Sequence, residues 1–252
     1  MNKLPQITLA FWVMKICATT LGETAGDLLS MTLNLGYALS TLVLLAAFLV
    51  TLVFQLFSTR YHPALYWSVI LSTSTAGTTL SDFMDRTLGL GYASGSTVLI
   101  GLLLAVFALW YAKERSLAVD SVRSTRAELF YWTAILISNT LGTALGDYLA
   151  DDSGLGFAGG ALLIGGAIAL VVLARSVTRL SPVLLFWVAF VLTRPFGATL
   201  GDVLTKGHEQ GGLGFGTVGS SLVLLGVLLV LVVVATLRQG RGVAPATLPT
   251  AG

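Results

Sequence analysis

Apolar residues fall in eight blocks, at roughly 6–30, 36–57, 64–84, 91–112, 127–150, 156–175, 182–205 and 214–237. With their flanks these blocks reach the ~20 residues that a helix needs to cross a bilayer. They alternate in character. Blocks one, three, five and seven hold polar residues inside them, whereas blocks two, four, six and eight are almost purely apolar. Pro5, Pro63 and Pro182 lie near block starts, where the missing N–H costs a helix little. The pattern predicts an all-α polytopic membrane protein of eight transmembrane helices.

The polar residues inside the odd blocks repeat. An aromatic-Trp pair is followed by a glycine and then an aspartate at fixed spacing. The copies are Phe11-Trp12, Gly22, Asp27; Tyr66-Trp67, Gly77, Asp82; Tyr131-Trp132, Gly142, Asp147; and Phe186-Trp187, Gly197, Asp202. A second element opens each even block: Leu35-Gly36-Tyr37, Leu90-Gly91-Tyr92, Leu155-Gly156-Phe157 and Leu213-Gly214-Phe215. By this alignment the fourth copy carries three extra residues within Lys206 to Gly212. Four two-helix repeats result, at approximately 5–57, 60–112, 125–175 and 181–237, forming a single membrane domain over 1–237. Residues 238–252, rich in Gly, Pro, Ala and Thr, are expected to be a disordered cytoplasmic tail.

Charge sets the orientation. Only 10% of residues are charged and 55% are hydrophobic, against ~25% charged in an average soluble domain. Lys3, Arg60, Lys113, Arg115, Arg123, Arg126, Arg175, Arg179, Arg238 and Arg241 fall on one side, and only Arg86 and Lys206 on the other. The excess marks the cytoplasmic side, with both termini there. The tryptophans then read as interfacial belt anchors near the cytoplasmic face. Because each repeat has two spans, the repeats are parallel and pseudo-symmetric about the membrane normal. The four aspartates share one depth near the outer face, where they form a ring if the odd helices gather round one axis.

Ionisable groups inside a membrane are costly and mark function by default. Asp27, Asp82, Asp147 and Asp202, with Glu23 of the first copy, are the candidate ion or substrate ligands, and any metal would use the same carboxylates. Thr19, Ser74 and Asn139 supply supporting oxygens suited to hard cations. Their equivalent in the fourth copy is Arg194, followed by Pro195, a candidate hinge. Arg194 and Lys15 are expected to neutralise some of the acids or to gate the site. Gly22 and Gly26, Gly142 and Gly146, and Gly197 and Gly201 form small-xxx-small pairs for close helix packing, with Gly77 and Ser81 as the fourth. Asp85, Arg86, Asp151, Asp152, Glu114, Asp120 and Glu128 read as solvated end or linker charges. The lone Cys17 reads as a small buried residue, and His208 as a loop residue.

Residues 15–37, KICATTLGETAGDLLSMTLNLGY, and the four Gly-x3-[Gly/Ser]-Asp copies resemble the bacterial membrane proteins built from the repeat called domain of unknown function 347. Ser81 replaces the second glycine in copy two, and copy four has the longer outer loop. The resemblance implies a multi-pass protein of the bacterial inner membrane and leaves the substrate to be read from the residues. No Walker loop, HExxH or CxxC is present, so no enzyme activity, cofactor or nucleic acid is expected. The expected partners are the lipid bilayer and a small cation or proton; a homo-oligomer is compatible with the glycine faces. The leading reading is a secondary transporter of a cation, with protons as a plausible coupling ion. The alternatives are a cation-selective channel with an Asp ring, or a non-transporting scaffold or sensor.

Overall fold

A computed structural model of the chain describes residues 3–241, with side chains through Gln239. The described residues form eight α-helices: α1 (Leu9–Asp27), α2 (Tyr37–Phe57), α3 (Pro63–Asp82), α4 (Tyr92–Glu114), α5 (Thr125–Asp147), α6 (Gly156–Val177), α7 (Pro182–Thr205) and α8 (Gly216–Arg241). Their starts follow local chemistry. Thr8 and Ser124 cap α1 and α5 by accepting from Phe11 N and Ala127 N. Pro63 and Pro182 occupy the first turns of α3 and α7. α7 runs unbroken through Pro195. Five helices, α2, α4, α6, α7 and α8, are long and apolar enough to cross a membrane. The other three, α1, α3 and α5, are those whose blocks hold the most polar residues.

The odd helices form a closed ring: α1 packs on α3 and α7, and α5 packs on the same two. The even helices lie outside, and each covers the inner helix of the following repeat. α2 packs on α3, α4 on α5, α6 on α7, and α8 returns to α1. The outer faces are apolar and bare, with Phe57 and Leu162 82% and 78% exposed, which suits lipid and not water. Inside the ring each motif glycine meets the next inner helix. A Cβ on Gly77 would stand 2.9 Å from the backbone carbonyl carbon of Asn139. Gly22 and Gly197 meet the side chain and backbone carbonyl carbon of Ser74 and Thr19, and Gly142 meets the side chains of Arg194 and Pro195. Backbones this close admit no side chain, which is why the small-xxx-small faces are needed.

The aspartates of the first three copies are each followed by one π-turn, Leu28–Thr32, Phe83–Thr87 and Tyr148–Asp152. The chain then passes through two residues of positive φ into the outer helix: Asn34 and Gly36, Gly89 and Gly91, Gly154 and Gly156. In the fourth copy the positive-φ pair is Gly214 and Gly216. The backbone bonds agree. Leu33 N and Leu35 N donate to Leu28 O and Leu29 O, and Leu213 N and Phe215 N to Val203 O and Leu204 O. Gly216, not Gly214, is therefore the counterpart of Gly36. The Leu213-Gly214-Phe215 match is two residues out of register, and the fourth copy carries five extra residues, not three.

Three further expectations are corrected. Trp67, Trp132 and Trp187 are buried, not belt anchors. They interlock with the preceding aromatics: Phe11 lies 5.7 Å from Trp67, Tyr66 5.5 Å from Trp132, and Tyr131 6.0 Å from Trp187. The Tyr66 and Tyr131 hydroxyls meet at 2.7 Å, so an aromatic plate closes this end of the ring. Glu128 is buried instead of solvated, held by Lys3 at 2.9 Å and by Gln55. Residues 238–241 continue α8; the rest of the expected disordered tail lies outside the described residues.

Candidate functional site

Residues four apart on an inner helix lie one above another with a drift of ~40° per step, so equivalent positions of the four copies define successive tiers along the ring. Counting from the aromatic plate, the tiers are Lys15, Ile70, Ile135, Phe190; then Thr19, Ser74, Asn139, Arg194; then Glu23, Thr78, Thr143, Ala198; then Asp27, Asp82, Asp147, Asp202. All sixteen side chains belong to buried residues. Repeat position thus sets the tier, and the differences between copies place unlike groups around one axis.

The aspartates form two bridged pairs. Arg86 Nε lies 3.1 Å from Asp82 and its Nη2 3.2 Å from Asp147. Lys206 Nζ lies 3.5 Å from Asp27 and 3.4 Å from Asp202. Both bases sit four residues after their own aspartate, one turn nearer the end of the ring, and are about a quarter to a third exposed. Tyr37 and Tyr92 flank Arg86, with the guanidinium carbon 5.9 and 5.7 Å from their ring centres. Arg86 and Lys206 are thus the partners of the aspartates and not free loop charges. Their i,i+4 spacing from Asp82 and Asp202 was the available signal. Asp85, also expected to be solvated, is buried beside Ser81 at 3.3 Å. Asp151 and Asp152 are exposed.

One tier deeper, Arg194 crosses the axis. α7 stands diagonally opposite α3 in the ring, yet Arg194 Nη2 reaches Thr78 and Thr143 at 2.6 Å each and Glu23 at 2.8 Å. Thr78 and Thr143 also donate to the same Glu23 oxygen. Removing one partner of such a pair leaves a buried charge, at a cost of about 3–5 kcal/mol. The expected pairing of Lys15 with an acid does not occur. Its ammonium reaches Asn139 Oδ1 at 3.4 Å and lies 4.2 Å from the centre of the Phe190 ring. Among the described residues it makes no ion pair. Asn139 is fixed in turn by donating to Thr73 Oγ1 at 3.0 Å.

Ligand atoms of Glu23, Asp147 and Asp202 all lie within 4.8 Å of one another. Three carboxylates at this separation can share a hard cation. Thr19 turns away from the axis, bonding the carbonyls of Lys15 and Thr193, and Ser74 Oγ has no partner among the described residues. His208 bonds Gly212 O in the outer loop, and Cys17 is buried against Leu224 O.

The family model described as Repeat of Unknown Function (DUF347) matches residues 10–61, 65–116, 130–181 and 185–241. No curated protein and no solved structure matches the chain.

Proposed function

This chain belongs to the DUF347 repeat family, and we propose that it is a secondary transporter of a small, hard cation, with protons as the coupling ion. In this reading all eight helices span the bacterial inner membrane. The repeats run parallel around a pseudo-fourfold axis along the membrane normal, and both termini are cytoplasmic.

The observation that carries the reading is the convergence of five carboxylates on one axis. Among the described residues Asp27, Asp82, Asp147, Asp202 and Glu23 meet only three bases, Arg86, Lys206 and Arg194. Acid exceeds base, so the site favours a cation or protons to complete it. Lys206 and Arg86 are partly exposed and stand where an incoming cation would displace them. Glu23 is the next carboxylate inward, and its release from Arg194 would pass the charge on. The Glu23–Arg194 pair and the aromatic plate both obstruct the axis, which supports stepwise exchange over an open channel.

The test is flux in proteoliposomes with an internal pH indicator and imposed gradients of monovalent or divalent cations. Wild-type protein is expected to give saturable, cation-dependent proton movement, lost in Asp147→Asn and Asp202→Asn. Full transport by all four single Asp→Asn variants would overturn the reading. Unsaturable conductance would instead select a channel, and no flux of any kind a scaffold or sensor.

A further inference from the structure

We infer that the axis also holds a site for a small monovalent anion of the halide class, between Lys15 and Arg194. Two observations meet there. First, both cationic side chains lie on the axis, because each reaches the helix diagonally opposite its own. Lys15 extends from α1 to Asn139 of α5, and Arg194 from α7 to Thr78 of α3. The Lys15 ammonium stands at the tier of Asn139, which is the tier from which Arg194 itself springs. Second, the donors are unmet. Arg194 is fully buried, yet its Nε and Nη1 have no hydrogen-bond partner among the described residues. Only its Nη2 is used, on the side of Glu23, Thr78 and Thr143. Lys15 is likewise fully buried and spends one long bond on Asn139.

Arg194 is paired with one carboxylate, Glu23, a tier beyond its own, and Lys15 is paired with none among the described residues. The aspartates lie on the Glu23 side, where Asp147 and Asp202 bring oxygens within 4.8 Å of its carboxylate. They are twelve residues, or ~18 Å of helix rise, from the Lys15 tier, and four of their oxygens are engaged by Arg86 and Lys206. Buried donors without partners are rare in folded proteins and point to a bound ion or water. A small anion accepts from the ammonium and the guanidinium together and separates their like charges. The Phe190 ring beside Lys15, and the isoleucines at its tier, keep water scarce. The set has no metal-binding character, and the inference is independent of cation transport.

Equilibrium dialysis of the purified full chain in detergent against radiolabelled chloride, at constant ionic strength with gluconate as the bulky counter-ion, tests this. Wild-type protein is expected to bind one chloride per chain saturably, with bromide competing and gluconate not. Lys15→Met should abolish saturable binding, and Lys15→Arg should keep it. Arg175→Gln, a change at an exposed position, should have no effect. Absence of saturable chloride binding in wild-type protein overturns the inference whether or not Lys15→Met folds. So does unchanged binding in a monodisperse Lys15→Met protein, and the donors would then be met by water. Because the readout is binding and not flux, its failure leaves the transport reading standing, and the converse holds.

Discussion

At the scale of single residues, the glycines and the axial residues obey different rules. Gly77 faces backbone that cannot move aside. At Gly77 a methyl group would meet the Asn139 carbonyl carbon at 2.9 Å and the Thr140 nitrogen at 3.0 Å. Gly77→Ala should therefore lower stability by about 1–3 kcal/mol or more through overpacking. Gly101, on the outer helix α4, has nothing within 4 Å. Gly101→Ala should be neutral or stabilising by up to about 1 kcal/mol, because alanine forfeits less freedom in a helix. Thermal unfolding in detergent measures both, and equal effects would contradict the packing account. These positions were legible because small-xxx-small spacing needs only helical geometry. The axial partners were less so. Arg86 and Lys206 lie beyond the apolar blocks, so hydropathy assigns them to water. Only the turn that continues each helix past its aspartate brings them back over the ring.

At the scale of elements, the exit from each inner helix is a built structure of its own. A π-turn and two positive-φ residues close the step from Asp27 to Gly36 in nine residues, and likewise in the next two copies. The fourth copy makes the same step in fourteen, through the short helical turn His208–Gln210. Deleting residues 207–211 restores the nine-residue spacing and leaves Gly214 and Gly216 in place. That deletion should fold with stability within about 1 kcal/mol of the parent, since loop length changes closure entropy only slowly. Deleting only three residues, as the Leu-Gly-Phe match suggests, leaves eleven residues from Asp202 to Gly216, two more than the other copies use, and should give a lower unfolding midpoint than the five-residue deletion. Size exclusion and unfolding midpoints separate the two. The sequence misled here because a Leu-Gly-aromatic string also occurs two residues early; φ, not side-chain identity, defines the step. The tryptophans misled for a related reason. Depth along a helix can be counted from the chain, but the direction in which a ring points depends on neighbouring helices. Here those neighbours are the aromatics of adjoining repeats.

At the scale of the whole molecule, each outer helix packs chiefly on a repeat other than its own; α2, α4 and α6 each serve the next inner helix, and α8 serves the first. Eight blocks and four copies were readable from periodicity, but this handing-on was not, because spacing says nothing of which neighbour a helix covers. The two ends of the described chain meet the same connection: Lys3 Nζ bonds Leu56 O, and Gln239 Nε2 bonds Tyr61 O. A circular permutant that joins these ends and opens the exposed 178–180 segment keeps every helix contact. It should be monodisperse, with an unfolding midpoint close to that of the parent; aggregation would show that chain order matters beyond packing. The contact of α8 with α1 is in effect a nick in a covalent circle. Cutting the circle once more, between the second and third repeats, would leave a half with two bare faces, α4 at one edge and α1 at the other. Each is the shape its opposite edge was made to cover, so two such halves would close head to tail. The fold therefore stands one peptide connection away from a symmetric dimer, and its single-chain form is what allows Glu23, Lys15 and Arg194 each to exist only once.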